Sequence, residues 1–152
     1  DPSAPAQLIA AYEKYGCPTI AGVRIAHEDI NKYGIADVTP VENNIFKINK
    51  IIEKPDADHA PSDLATHGSY LFTPDIFEIL ANIKPTSDGE IWIADAIDEL
   101  ITKRDVYAVE LIGAKYYDCG SKAGYLKAVV DFALLNEDTN GELRRYLKSL
   151  KL

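Results

Sequence analysis

Apolar side chains recur along the chain in two periods, and the change of period marks the elements. Leu8, Ile9, Tyr12 and Tyr15 repeat at helical spacing and Gly16 follows as a stop, which predicts a first helix. Thr19 to Ile25 is rich in β-branched residues and predicts a strand. Asn31-Lys32-Tyr33-Gly34 reads as a turn, and Ile35 to Val41 as a second strand interrupted by Pro40. After the turn Glu42-Asn43-Asn44, Ile45, Phe46, Ile48, Ile51 and Ile52 predict a third strand that runs to Lys54. Pro55 stops it, because proline has no N–H to give a ladder. Two strands joined by so short a turn predict an antiparallel hairpin.

Asp56 to Asp63 is a polar loop, and His67 to Phe72 a short strand. Thr73-Pro74-Asp75 predicts a helix start with Thr73 as the cap. Ile76, Phe77, Ile79, Leu80 and Ile83 form the apolar side of that helix. Pro85 to Gly89 is a loop, and Ile91 to Lys103 a further helix with Ile93, Ala96, Ile97, Leu100 and Ile101 facing in. Val106 to Ile112 predicts a strand, and Lys115 to Gly120 a strand end and turn. Ser121 caps a long helix to about Asn136, and an amphipathic helix covers Gly141 to Leu150. Helices interleaved with strands argue for α/β architecture.

Composition narrows the classes. At 152 residues, 47% hydrophobic and 26% charged, the chain is about one ordinary globular domain. A net charge of -8 argues against nucleic acid as a partner, while leaving room for an anionic substrate at a local basic site. Cys17 and Cys119 lie far apart without metal-like spacing, which predicts free thiols in a reducing cytoplasm. No apolar run approaches the length of a membrane span. Asp1-Pro2-Ser3-Ala4-Pro5 leads straight into the first helix, and the sequence contains no Met, as in a processed chain or an excised fragment.

Two stretches carry residue types suited to chemistry. Glu53 and Lys54 close the third strand, on opposite faces of a chain taken as extended. A carboxylate accepts from hydroxyls and an ammonium holds phosphate, so the pair suits the two ends of a sugar phosphate. A solvated ion pair has the same signature. In Tyr117-Asp118-Cys119-Gly120-Ser121-Lys122, Asp118 stands at a predicted strand end before a helix. Its oxygen suits Mg²⁺, although a lone Asp in a turn is more often structural, as an Asx turn or cap. Gly34 and Gly68 sit beside strands, where glycine permits close backbone approach or a simple turn. His27, His59 and His67 show no ligand spacing, and Trp92 reads as core or interface.

Five short motifs then occur in order: Tyr33-Gly34-Ile35; Ile52-Glu53-Lys54-Pro55; His67-Gly68-Ser69-Tyr70; Gly89-Glu90-Ile91 with Asp95-Ala96-Ile97; and Tyr117-Asp118-Cys119-Gly120 with Lys122, Gly124 and Tyr125. Together they resemble the second half of the bacterial UTP–glucose-1-phosphate uridylyltransferases, within the sugar-1-phosphate nucleotidylyltransferases. The resemblance covers nearly the whole chain. It implies an α/β fold: part of a Rossmann-like nucleotidyltransferase domain, with a mixed sheet, flanking helices and a C-terminal helical part. It implies that residues 1–152 are the C-terminal part of a single domain whose nucleotide-binding part lies elsewhere.

The resemblance also implies roles. Glu53 would bind sugar hydroxyls and Lys54 the phosphate of glucose 1-phosphate. Gly34 and Gly68 would line the sugar pocket with Tyr70 nearby, and Asp118 would be one of two carboxylates holding Mg²⁺. Lys54 and Asp118 would thus carry catalysis. The partners implied are glucose 1-phosphate and UTP, with neither nucleic acid nor membrane, in a cytoplasmic homo-oligomer. The family's glycine-rich nucleotide loop and its first metal Asp have no counterpart in this chain. Trp92, Ile93 and Ala94 stand where the family more often has Gln, Leu and Thr, and Ala123 where it has Leu. A related nucleotidylyltransferase of other base or sugar, and a non-catalytic sugar-phosphate-binding module, are the alternatives. Cys119 favours the uridylyltransferases, since thymidylyl relatives usually carry Thr there.

Overall fold

The structure is a computed structural model that describes residues 2–85 and 89–150. It divides into two compact units, residues 2–114 and 115–150 among those described. The predicted loop from Pro85 to Gly89 falls largely outside the described residues.

The first unit opens with helix α1 (Ala4–Tyr15), capped by the Ser3 side chain and ended by Gly16 at φ 64. The left-handed conformation there is the usual reason for glycine after a helix. Five strands follow: β1 (Thr19–Arg24), β2 (Gly34–Glu42), β3 (Ile45–Glu53), β4 (Leu64–Leu71) and β5 (Tyr107–Glu110). Helices α2 (Asp75–Asn82) and α3 (Ile93–Lys103) lie between β4 and β5 in sequence. The sheet is mixed. Its pairing runs β1–β4–β2–β3–β5 and closes on β1, with only the β1–β5 pair parallel.

Alternation along the strands explains why the sheet is covered on both faces. Ile20, Phe46 and Ala108 join the core under α2 and α3, with Ile76, Ile79, Ile97 and Leu100. Their neighbours Ala21, Ile45 and Val109 pack with Leu8 and Ala11 of α1. A third cluster, Ile30, Ile35 and Ala65 with Tyr33, lies beside a 3₁₀ turn at His27–Lys32.

The hairpin β2–β3 forms as expected, and two irregularities in its register absorb Asn49 and Val41 near Pro40. Lys54 N–H donates to the carbonyl of Tyr33 at 3.1 Å, so Gly34 and Glu53 oppose each other as a pair without mutual backbone bonds. By the same alternation Ala36 and Ile51 form such a pair, and the N–H of Ile51 turns to the far edge of β3. Asp98 of α3 accepts it there at 2.7 Å, and burial raises the pKa of that carboxyl.

Several expectations are corrected. Residues 115–120 form no strand: Lys115 and the Tyr117 hydroxyl bond Asp131, so this segment is tied by side chains rather than a ladder. Strand β4 begins at Leu64, three residues before the expected start, because Leu64 and Ala65 pair with β1 and β2. Thr73 does not cap α2. Pro74 holds the cap position, and the Thr73 hydroxyl donates to the Asp75 side chain. Phe77 is 72% exposed and does not face the core. Helix α3 starts at Ile93 rather than Ile91, β5 spans only Tyr107–Glu110, and Trp92 is half-buried.

The second unit contains α4 (Lys122–Leu135) and α5 (Glu137–Ser149). Ser121 caps α4 as expected, its side chain accepting from Gly124 N–H. Helix α5 starts four residues earlier than expected, because Asn136 caps it by accepting from Asp138 N–H. No helix among the described residues is long and apolar enough to cross a membrane.

Candidate active site

The end of β3 gathers Gly34, Glu53 and Lys54. Strand β3 stops at Glu53, and Lys54 takes φ 47, a left-handed conformation that is uncommon outside glycine. This corrects the opposite-face expectation. The backbone turns, and Lys54 Nζ stands 3.9 Å from Glu53 Oε1. The Lys54 side chain is 57% exposed and that of Glu53 25%. A carboxylate and an ammonium are thus presented side by side, the ammonium outermost.

Gly34 is needed here for a steric reason. A β-carbon on it would lie 2.9 Å from Glu53 Oε2 and 3.1 Å from Thr66 Oγ1. Glu53 can rest against the strand because glycine leaves that space. Tyr70 lies within electrostatic reach: its hydroxyl is raised by burial first and then by the charge of Glu53. Its ring stacks on Phe72 with centroids 5.3 Å apart. Tyr33 meets His67 edge-on at 5.1 Å, and burial lowers the His67 imidazole.

Gly68 lies in a bulge. Ile20 opposes Tyr70 and Gly22 opposes Thr66, so His67, Gly68 and Ser69 stand against Ala21 alone. Nothing would meet a β-carbon on Gly68 within 4 Å. It opens on a groove of about 310 Å³ shared with Pro5, Leu8 and Ile9 of α1 and with Ser69, Tyr70 and Leu71.

Asp118 belongs to the second unit and is exposed. Its Oδ1 accepts from Gly120 N–H at 3.0 Å, and its carbonyl accepts from the Ser121 hydroxyl at 3.3 Å. A β-carbon on Gly124 would fall 1.9 Å from that carbonyl oxygen. Gly124 therefore lets the first turn of α4 sit directly on the Asp118 backbone. As a hard oxygen donor Asp118 suits a divalent cation, supplying one ligand. Among the described residues no group of three or more His, Cys, Asp or Glu is arranged to hold a metal. Cys17 and Cys119 are free thiols.

Thr66 and the backbone contact of Gly124 are the parts that sequence reasoning passed over. Gly124 carried a usable signal, since glycine inside a helix marks a close approach. Thr66 carried none, because its partner lies 32 residues away.

The comparisons agree with this architecture. The family model for nucleotidyl transferases matches residues 3–133. This chain belongs to the nucleotidyl transferase family. It is 40% identical over 145 residues to UTP–glucose-1-phosphate uridylyltransferase 2 of Streptococcus pyogenes serotype M1, covering 95% of this chain and 48% of that protein. A UDP-glucose pyrophosphorylase complexed with UDP-glucose superposes with a TM-score of 0.83 at 38% identity, over 90% of this chain and 51% of that one. The UTP-bound enzyme of Acinetobacter baumannii gives 0.85 at 29% identity, over 99% and 53%. The chain spans about half the length of the curated relatives it matches. Members of this family generally use divalent metal ions.

Proposed function

We propose that the protein to which this chain belongs transfers UMP from UTP to glucose 1-phosphate, giving UDP-glucose and pyrophosphate. The observation that carries this is the strand end where Glu53 and Lys54 lie 3.9 Å apart over Gly34. The names of its relatives support the same reading. Glu53 accepts from sugar hydroxyls, and Lys54 neutralises and orients the sugar phosphate. An oxygen of that phosphate attacks the α-phosphorus of UTP in line. A new P–O bond forms as the bond to pyrophosphate breaks. Gly34, Gly68 and Tyr70 line the sugar pocket.

On the same reading residues 1–152 are the C-terminal part of a single nucleotidyltransferase domain, the half that the five motifs resemble; the half-length coverage of the relatives is compatible with a part of either end. Asp118 would hold Mg²⁺ with a second carboxylate from the remainder of the domain. That ion would supply charge neutralisation at the phosphates. On this reading the protein works as a cytoplasmic homo-oligomer. Neither nucleic acid nor membrane is a partner on this reading, in keeping with the net charge of -8.

The test is product analysis with the full-length protein, UTP or another nucleoside triphosphate, and glucose 1-phosphate. UDP-glucose and pyrophosphate in equal amounts are expected. Product formed with dTTP or CTP in preference to UTP would point to another nucleotidylyltransferase, and no product with any of them to a non-catalytic sugar-phosphate module.

A further inference from the structure

Gly34 opposes Glu53 without mutual backbone bonds, so its carbonyl turns away from β3 and toward β4. The β2–β4 seam it meets is thin: among the described residues only Ile35 and Ala65 are in register across it. Two hydroxyls flank that pair and close the seam. Ser62 donates to the carbonyl of Ala36 at 2.6 Å, and Thr66 donates to the carbonyl of Gly34 at 3.2 Å. The bulge at His67–Ser69 begins directly after Thr66, so a side chain takes over where the strand leaves its regular course.

We propose that Thr66 is a positioning residue for the sugar-phosphate end of the site. Its hydroxyl fixes the Gly34 carbonyl. Gly34 is in turn enclosed between Thr66 Oγ1 and Glu53 Oε2, at 3.1 and 2.9 Å from the place of its missing β-carbon. The height of Gly34 relative to β4 therefore sets where the Glu53 carboxylate rests. The Ser62 bond holds the same seam two residue pairs further from Glu53, and so acts on the fold rather than on the site. The inference rests on the proposed role of Glu53 as acceptor for sugar hydroxyls, and adds a residue to which that role assigns nothing.

The test compares Thr66→Val, which keeps the shape and removes the donor, with Thr66→Ser, which keeps the donor, in the full-length protein. Thr66→Val is expected to raise the KM for glucose 1-phosphate roughly three- to tenfold, the scale of one lost hydrogen bond. The KM for UTP stays within about twofold, and Thr66→Ser recovers most of the loss. Amide hydrogen exchange at Gly34 and Ile35 quickens in the valine variant alone. An unchanged KM for glucose 1-phosphate in Thr66→Val would overturn the proposal. So would equal rises in both KM values with a lower melting temperature and no recovery by serine, the signature of a purely structural role. If the wild-type protein itself makes no UDP-glucose, the functional reading fails, and that outcome is distinct from a silent variant of an active enzyme.

Discussion

Lys54 is held in a backbone conformation that its own side chain disfavours, at φ 47. A left-handed non-glycine residue costs roughly 1–2 kcal/mol. Replacing alanine by glycine at an unstrained site costs about 0.4–1 kcal/mol through the unfolded chain. The first effect is the larger, so Lys54→Gly is expected to melt at or above Lys54→Ala. Thermal melting of the two variants decides it, and a glycine variant clearly less stable than the alanine one would show that the turn is unstrained. On the proposed reading the position holds a lysine for its ammonium, which meets the sugar phosphate. At this scale the sequence showed the residue types and not their arrangement. Pro55 marked the strand end, while Gly34 left a close approach and a simple turn both open, and nothing local announced that Lys54 would fold back toward Glu53. Thr66 was silent for the same reason, since its bond to Gly34 exists only once β2 and β4 meet.

Between elements, two contacts make predictions that a residue list would not. Helix α4 begins on top of Asp118, with Gly124 as the point of closest approach. Gly124→Ala puts a β-carbon 1.9 Å from a backbone oxygen, which no side-chain rotation relieves. The expected result in the full-length protein is a loss of roughly 1–3 kcal/mol of stability together with a raised Mg²⁺ requirement. Melting and a Mg²⁺ titration of turnover check both, and an unaltered Mg²⁺ dependence would separate this turn from the metal.

The second contact joins three helix ends. Arg104, the C-cap of α3, donates to Thr73 Oγ1 at 3.0 Å, to Asp75 Oδ2 at 3.2 Å and to the carbonyl of Gly16 at 2.9 Å. The Thr73 hydroxyl, and after it Arg104, hold the Asp75 carboxyl below its ordinary value. A lowered carboxyl adds stability above the ordinary pKa and loses it as pH falls through the lowered one. Asp75 is 38% exposed, so solvent screening keeps its share to about 1 kcal/mol or less. Asp75→Asn is therefore expected to be slightly less stable than wild type at pH 7, with the gap closing as pH falls below 3.8. Urea melts at both pH values test this, and a gap independent of pH would contradict it. Helix and strand existence was legible from apolar periodicity throughout the first unit. The segment 115–120 was not, because its aromatic content imitates a strand while its polar groups are satisfied by Asp131.

For the whole molecule, family membership rests on residues 3–133, while the chain spans about half of its curated relatives. The order of the five motifs made the family legible in the sequence. Strand pairing and side-chain geometry then supplied the physical arrangement of Gly34, Glu53 and Lys54 at the end of β3. In the proposed reaction Lys54 serves the phosphate of the sugar and not the nucleotide. Steady-state kinetics of Lys54→Ala in the full-length protein test it most directly, with glucose 1-phosphate and UTP varied in turn. Loss of a charge-assisted contact of roughly 1.5–3 kcal/mol predicts a fall of about ten- to a hundredfold in kcat/KM for glucose 1-phosphate, with the KM for UTP little changed. An undiminished kcat/KM for glucose 1-phosphate, or a loss that falls on UTP instead, would contradict it.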